Sequence, residues 1–181
     1  MTGLRSSRNR RPRWRRLVLG FVVFAGVGVL AHAHGDLHER IEDLTRRLQE
    51  EPVKAALLLE RGELFAQHGE YAEAEADFRN AARLDADLPG LDLARARLLL
   101  VQRQAGPARA YLDRQLARDS RYAEALVLRA QTWMISGERE RAVADFDAAL
   151  RQLTAPPPGI FLERASAMSD RAAAIRSLDE G

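Results

Sequence analysis

Between Gly69 and Asp85 the chain reads GEYAEAEADFRNAARLD, with Tyr71, Ala74, Phe78 and Ala81 three and four apart and charged residues between them. That is the apolar stripe of an amphipathic helix. The pattern returns as GERERAVADFDAALRQL from Gly137, and shifting the chain by half that distance finds a further copy between the two. Small residues correspond at Gly62, Ala96 and Ala130, and again at Ala74, Ala108 and Ala142. Large ones correspond at Phe65, Leu99 and Trp133, and at Phe78, Leu112 and Phe146, with Asp85 and Asp119 following. Each copy predicts a pair of helices that approach closely at the small residues and fill the gap with the large ones. Gly69 and Gly137 stand where the hairpin between them needs a residue free to take positive φ. The units are placed at 55–88, 89–122 and 123–156.

The middle copy departs from its neighbours. Its turn glycine is displaced to Gly106, followed by Pro107, and Gln115 stands where the others carry a small residue, so its hairpin is expected to be the least regular. Before the first unit, Leu37, Ile41, Leu44 and Leu48 are spaced four, three and four apart. They predict an amphipathic helix, and residues 34–54 read as a capping half-repeat ending near Pro52. After the third unit TAPPPG (154–159) breaks the chain. IFLERASA then restarts a first helix like LLLERGEL, and AAAIRSLDEG follows as a second, so 157–181 read as a truncated fourth unit with a short turn.

This organisation resembles the tetratricopeptide repeat, whose period is about 34 residues and whose unit is a helical hairpin. The resemblance spans residues 37–181 and is similar in kind to that of bacterial exported tetratricopeptide-repeat proteins. It implies an all-α fold: a right-handed superhelix of antiparallel hairpins, a solenoid of about three full repeats with partial repeats at both ends. It also implies a concave face built from first helices, on which the fifth, ninth and twelfth positions of each unit face inward. Those residues are Leu59, Glu63 and Ala66; Leu93, Arg97 and Leu100; and Val127, Gln131 and Met134. A well-known variant of the family clamps a terminal carboxylate there with lysines, asparagines and an arginine. The matching slots here hold Leu59, Glu63, Ala94, Glu124 and Leu128, so the clamp is absent.

Composition alters this picture mainly at the N-terminus. The 181-residue chain is 46% hydrophobic and 30% charged with only 12 Gly and 7 Pro, which suits helices. Seven arginines crowd the stretch from Arg5 to Arg16, and no acid precedes Asp36. Without that segment the body holds 21 basic against 26 acidic residues, which argues against nucleic acid as a partner. The run LVLGFVVFAGVGVLA (17–31) follows the arginines at once, and AHA ends at Ala33. Residues 1–33 therefore read as a secretory signal peptide cleaved before His34, or as an uncleaved signal anchor. Either places the body outside the cytoplasmic membrane, in the periplasm, with membrane contact only through an uncleaved leader.

Candidate chemistry is sparse. The absence of cysteine excludes disulfides, thiolate metal sites and a cysteine nucleophile. His32, His34 and His38 cluster at the junction, but Gly35 interrupts the spacing and a solvated linker is the better reading, so no metal or cofactor is expected. Arginine recurs in each unit as Arg61, Arg95, Arg129 and Arg164, and Asp77 and Asp145 follow the first and third of these at one and the same separation. These predict structural ion pairs, Arg61–Asp77 and Arg129–Asp145, with Tyr111 in the carboxylate's slot in the middle unit. No nucleotide-binding, metalloprotease or nucleophile-elbow motif is present, so an enzyme is not expected. The expected function is a non-enzymatic scaffold or adaptor that binds a protein or peptide segment through Leu59, Glu63, Leu93, Arg97, Leu100, Val127, Gln131 and Met134. The alternatives are a homo-oligomerisation unit using the unfinished C-terminal repeat, and an accessory or metal-carrier protein resting on the histidines.

Overall fold

The computed structural model describes the backbone of residues 36–179 and the side chains of residues 36–168. The leader, its cleavage site, His32 and His34 lie outside the described residues. Within them the chain is all α-helix. Helix α1 covers residues 36–50. Three antiparallel hairpins follow: α2 (Ala55–His68) with α3 (Tyr71–Leu84), α4 (Leu91–Val101) with α5 (Ala105–Arg118), and α6 (Ala123–Ile135) with α7 (Arg139–Leu150). Helix α8 runs from Pro158 to Asp179. Each hairpin packs most closely on itself, and the first helices also touch in sequence, α2 on α4 and α4 on α6.

The small residues sit where helices come closest. A Cβ added at Gly62 would lie 2.6 Å from the ring of Phe78, so α2 and α3 are in contact through the glycine itself. Ala96, Ala130, Ala74, Ala108 and Ala142 are all fully buried, as are Phe78, Leu112 and Phe146 opposite them. Ile41, Leu44 and Leu48 of α1 join Leu57, Leu58, Leu64 and Phe78 in the first core, so α1 closes the N-terminal end of the stack. Two further cores follow along the chain, and Val127 packs against both.

The turns explain much of the repeat. Gly69 and Gly137 have φ of 90° and 77°, and each ends its helix with the same pair of backbone bonds. The N–H of Gly69 donates to Ala66 O and that of Glu70 to Phe65 O, a Schellman closure. In the middle unit the left-handed residue is Arg103, φ 63°, with N–H bonds from Arg103 to Leu100 O and from Gln104 to Leu99 O. The expected displacement of the turn to Gly106 is therefore corrected. Gly106 lies inside the first turn of α5, and the closure keeps its place in the repeat with an arginine bearing the conformational strain. Asp85 and Asp119 recur because each accepts the N–H two residues on, from Asp87 and Arg121, in the turn between units.

The C-terminal unit is also corrected. Among the described residues no hairpin forms after Pro157: α8 is one helix of 22 residues, Pro158–Asp179. Counting from its arginine, the slot of Gly69, Arg103 and Gly137 falls on Ala172, which sits within α8 and has no glycine to leave the helix by. Pro158 occupies the first helical position, where its missing N–H costs nothing.

Candidate binding face

The recurring arginines bind helices to one another rather than facing a ligand. Arg61 donates from Nε and Nη2 to the two oxygens of Asp77 at 2.7 and 2.8 Å, and from Nη1 to Thr45 Oγ1 of α1 at 3.1 Å. Arg129 makes the same two bonds to Asp145, both 2.8 Å, and a third to Asp113 of α5 at 2.9 Å. Each arginine thus ties its own hairpin to the preceding second helix. The bond to Asp145 raises the Arg129 guanidinium above its ordinary value against the cost of burial, and Asp77 does the same for Arg61. Both remain cationic at any working pH.

Among the described residues Arg95 pairs with no carboxylate. It donates to Phe78 O at 3.0 Å and lies over the Tyr111 ring, 5.3 Å from its centroid. The middle hairpin instead uses Asp92, buried in α4, which accepts from Arg114 Nε at 2.8 Å and from Arg118. Sequence reasoning missed Asp92, because the same slot holds Leu58 and Leu126 in the neighbouring units. Arg164 pairs backward with Asp147 of α7. Trp133 forms a further knot, its ring between Arg109 and Arg141 at 3.5 and 4.8 Å and its Nε1 donating to Asp145 at 3.0 Å.

The face formed by α2, α4, α6 and α8 holds two clefts, one on each side of α4. The first, about 420 Å³, is walled by Glu63 and Ala66 of α2, Tyr71 and Phe78 of α3, and Ala94, Arg97, Leu98 and Val101 of α4. The second, about 330 Å³, is walled by Leu100, Gln131, Met134, Ile135, Glu163 and Ser166. The ninth positions form a polar line between them. Arg97 reaches Glu63 at 3.4 Å on one side and Glu124 on the other, and Gln131 donates to Glu163 at 3.0 Å.

The inward residues expected from the repeat divide in two. Glu63, Arg97, Leu100, Gln131 and Met134 do line this face. Leu93 does not: only 4% exposed, it lies in the second core, and its place on a binding strip is corrected. Leu59 and Val127 are half-buried against the cores, because the fifth position packs between successive units. Val101, 58% exposed at the end of α4, was not expected and is the most open apolar residue of the first cleft. It follows Leu100 by one residue, so the last turn of α4 presents one apolar side chain to each cleft. Among the described residues no group of three or more His, Cys, Asp or Glu could hold a metal, and His38 lies beside Glu42 at 3.2 Å.

Solved structures share this architecture. A tetratricopeptide repeat protein from Parabacteroides merdae superimposes with a TM-score of 0.66 over 90% of this chain and 64% of its own, at 17% identity. MamA does so with a TM-score of 0.65, covering 78% of this chain and 82% of that one, also at 17% identity. The fold is a tetratricopeptide-repeat solenoid. The first such domain of Spaghetti, solved with the HSP90 peptide SRMEEVD, matches 66% of this chain and 94% of its own at 21% identity, TM-score 0.61. No protein-family model matches the chain. No curated protein matches it either.

Proposed function

We propose that this chain is a non-enzymatic interaction module, exported beyond the cytoplasmic membrane, that holds a segment of another protein against the face of α2, α4, α6 and α8. One observation carries the reading: the last turn of α4 presents Leu100 and Val101 to two clefts separated by the Arg97 line. The peptide-bound Spaghetti domain supports it by showing that this fold accommodates a peptide. The arginine-rich leader with its apolar run and AHA site supports export.

The chemistry of the face selects the partner. Among the described residues, Glu63 and Glu124 share Arg97 while Glu163 accepts only from the neutral Gln131, so acid is in excess there. An acidic segment meets repulsion there, and a neutral or basic one does not. The clefts flank α4, so they lie roughly one to two helix spacings apart, about 10–20 Å. An extended segment crosses that in about three to six residues. The partner is a segment with two apolar anchors at that separation and basic or uncharged residues between them.

Replacing Leu100 and Val101 with glutamate tests this. Capture of partner proteins from the envelope should fall at least about tenfold, equivalent to about 1.4 kcal/mol. Helical circular dichroism should be unchanged. Undiminished capture by a folded double variant refutes the face.

A further inference from the structure

Among the described residues, no second helix of its own unit packs on α8, whereas every other first helix has one. Three register positions on first helices face the unit's own second helix. Asp92 shows the first, through its bonds to Arg114 of α5. Gly62 shows the second, through its closeness to Phe78 of α3. Trp133 shows the third, through its bond to Asp145 of α7. Aligning Arg164 with Arg61, Arg95 and Arg129 puts Phe161, Ala165 and Met168 of α8 at those three positions. The equivalent Leu58 and Leu126 are buried, whereas Phe161 and Met168 are 52% and 44% exposed, and Leu162 beside them is 73% exposed. The adjoining side of α8 is ordinary, with Ile160 and Ala167 buried in the third core.

The helix that would cover this face is the second helix of the unit, which the repeat assigns to the segment from Ala172. In this fold that segment continues α8 as one helix, so it cannot turn back on its own chain's exposed face. A neighbouring chain's copy has no such restriction. We propose that a second copy of this chain covers the face. Two α8 helices pack antiparallel, the sense of every hairpin here. Each chain's segment beyond Ala172 lies over Phe161, Ala165 and Met168 of the other. The fourth hairpin is thus completed in trans, an exchange that uses contacts the repeat already specifies. With Phe161 opposite Asp179, Met168 lies opposite Ala172 and the two-fold axis passes between them.

The chain has no cysteine, so single cysteines report this geometry without background. In the full chain held in mild detergent, chains carrying Met168→Cys mixed with chains carrying Ala172→Cys should give a disulfide-linked dimer on gentle oxidation, since this register sets the two positions face to face. Leu162→Cys, roughly 12 Å along the helix from the axis, should not link to its own counterpart. Sedimentation velocity should show a dimer for the parent chain. Phe161→Glu with Met168→Glu should give a monomer of unchanged helical content. So should a Gly-Asn-Gly insertion before Ala172, which restores a turn and lets the segment fold back on its own chain. The proposal is overturned if the parent is monomeric at every loading concentration, if Leu162→Cys links to its own counterpart as readily as Met168→Cys links to Ala172→Cys, or if the dimer survives the paired glutamates. Persistence in that last case would assign association to the leader. Substitutions at Leu100 and Val101 leave all of these readouts unmoved, so this dimer and the inner-face reading fail independently.

Discussion

Removing the Asp145 carboxylate should cost more than removing the whole Arg129–Asp145 pair. Asp145 accepts two bonds from Arg129 and one from Trp133, and its side chain is 11% exposed. Taking one partner from a fully buried pair costs about 3–5 kcal/mol, because the remaining charge stays desolvated. Arg129 retains Asp113 at 2.9 Å and a quarter of its side chain meets solvent, so Asp145→Ala should cost about 2–3 kcal/mol. Replacing both residues, Arg129→Met with Asp145→Leu, removes the stranded charge. It leaves Asp113, half exposed and free to hydrate, and an unpaired indole N–H, a loss of about 1 kcal/mol. Urea unfolding of the full chain in mild detergent, followed by circular dichroism, measures both. Equal or greater loss in the double variant, or a loss below about 0.5 kcal/mol for Asp145→Ala, refutes the reasoning.

Two further substitutions probe the repeat. Arg103→Gly should stabilise the chain by about 0.5–1 kcal/mol, the left-handed strain it relieves less the flexibility glycine adds to the unfolded chain. That is a melting-temperature rise of about 1–4 °C, and a fall would show that Arg103 is not strained. Gly62→Ala should cost about 1–2 kcal/mol in the same denaturation assay, since alanine's helix preference recovers only part of the overpacking against Phe78. Adding Phe78→Leu, the combination Ala96 and Leu112 already make, should restore part of the loss.

The hairpins were legible because their spacing is fixed by contact. Gly62 must be small where α2 meets Phe78, and a shift of one repeat reads that constraint directly from the sequence. The Arg61–Asp77 and Arg129–Asp145 contacts could be read because both partners recur at one separation. Asp92 could not, since it occurs in one unit only and its arginines lie at a different spacing. The middle turn misled because glycine marks positive φ only by preference, and Arg103 adopts it under the same pair of backbone bonds. The inner face was half legible. Periodicity places the fifth and twelfth positions on one side of a helix, but whether that side meets solvent or the next unit depends on how the hairpins stack. Stacking buries Leu93 and leaves Val101 open. Continuity of α8 is likewise invisible to a period that expects a turn at Ala172.

Photo-crosslinking in intact cells tests the central claim most directly. A photoreactive residue is placed at Val101, at Met134, or at the exposed Arg79 on the outer helix α3, and adducts are identified by mass spectrometry. The account predicts the same partner protein at Val101 and Met134, with the crosslinked segment carrying apolar residues and no excess of acid, and no such adduct at Arg79. Equal labelling from Arg79, or none from the two inner positions while the protein is folded and exported, would contradict it.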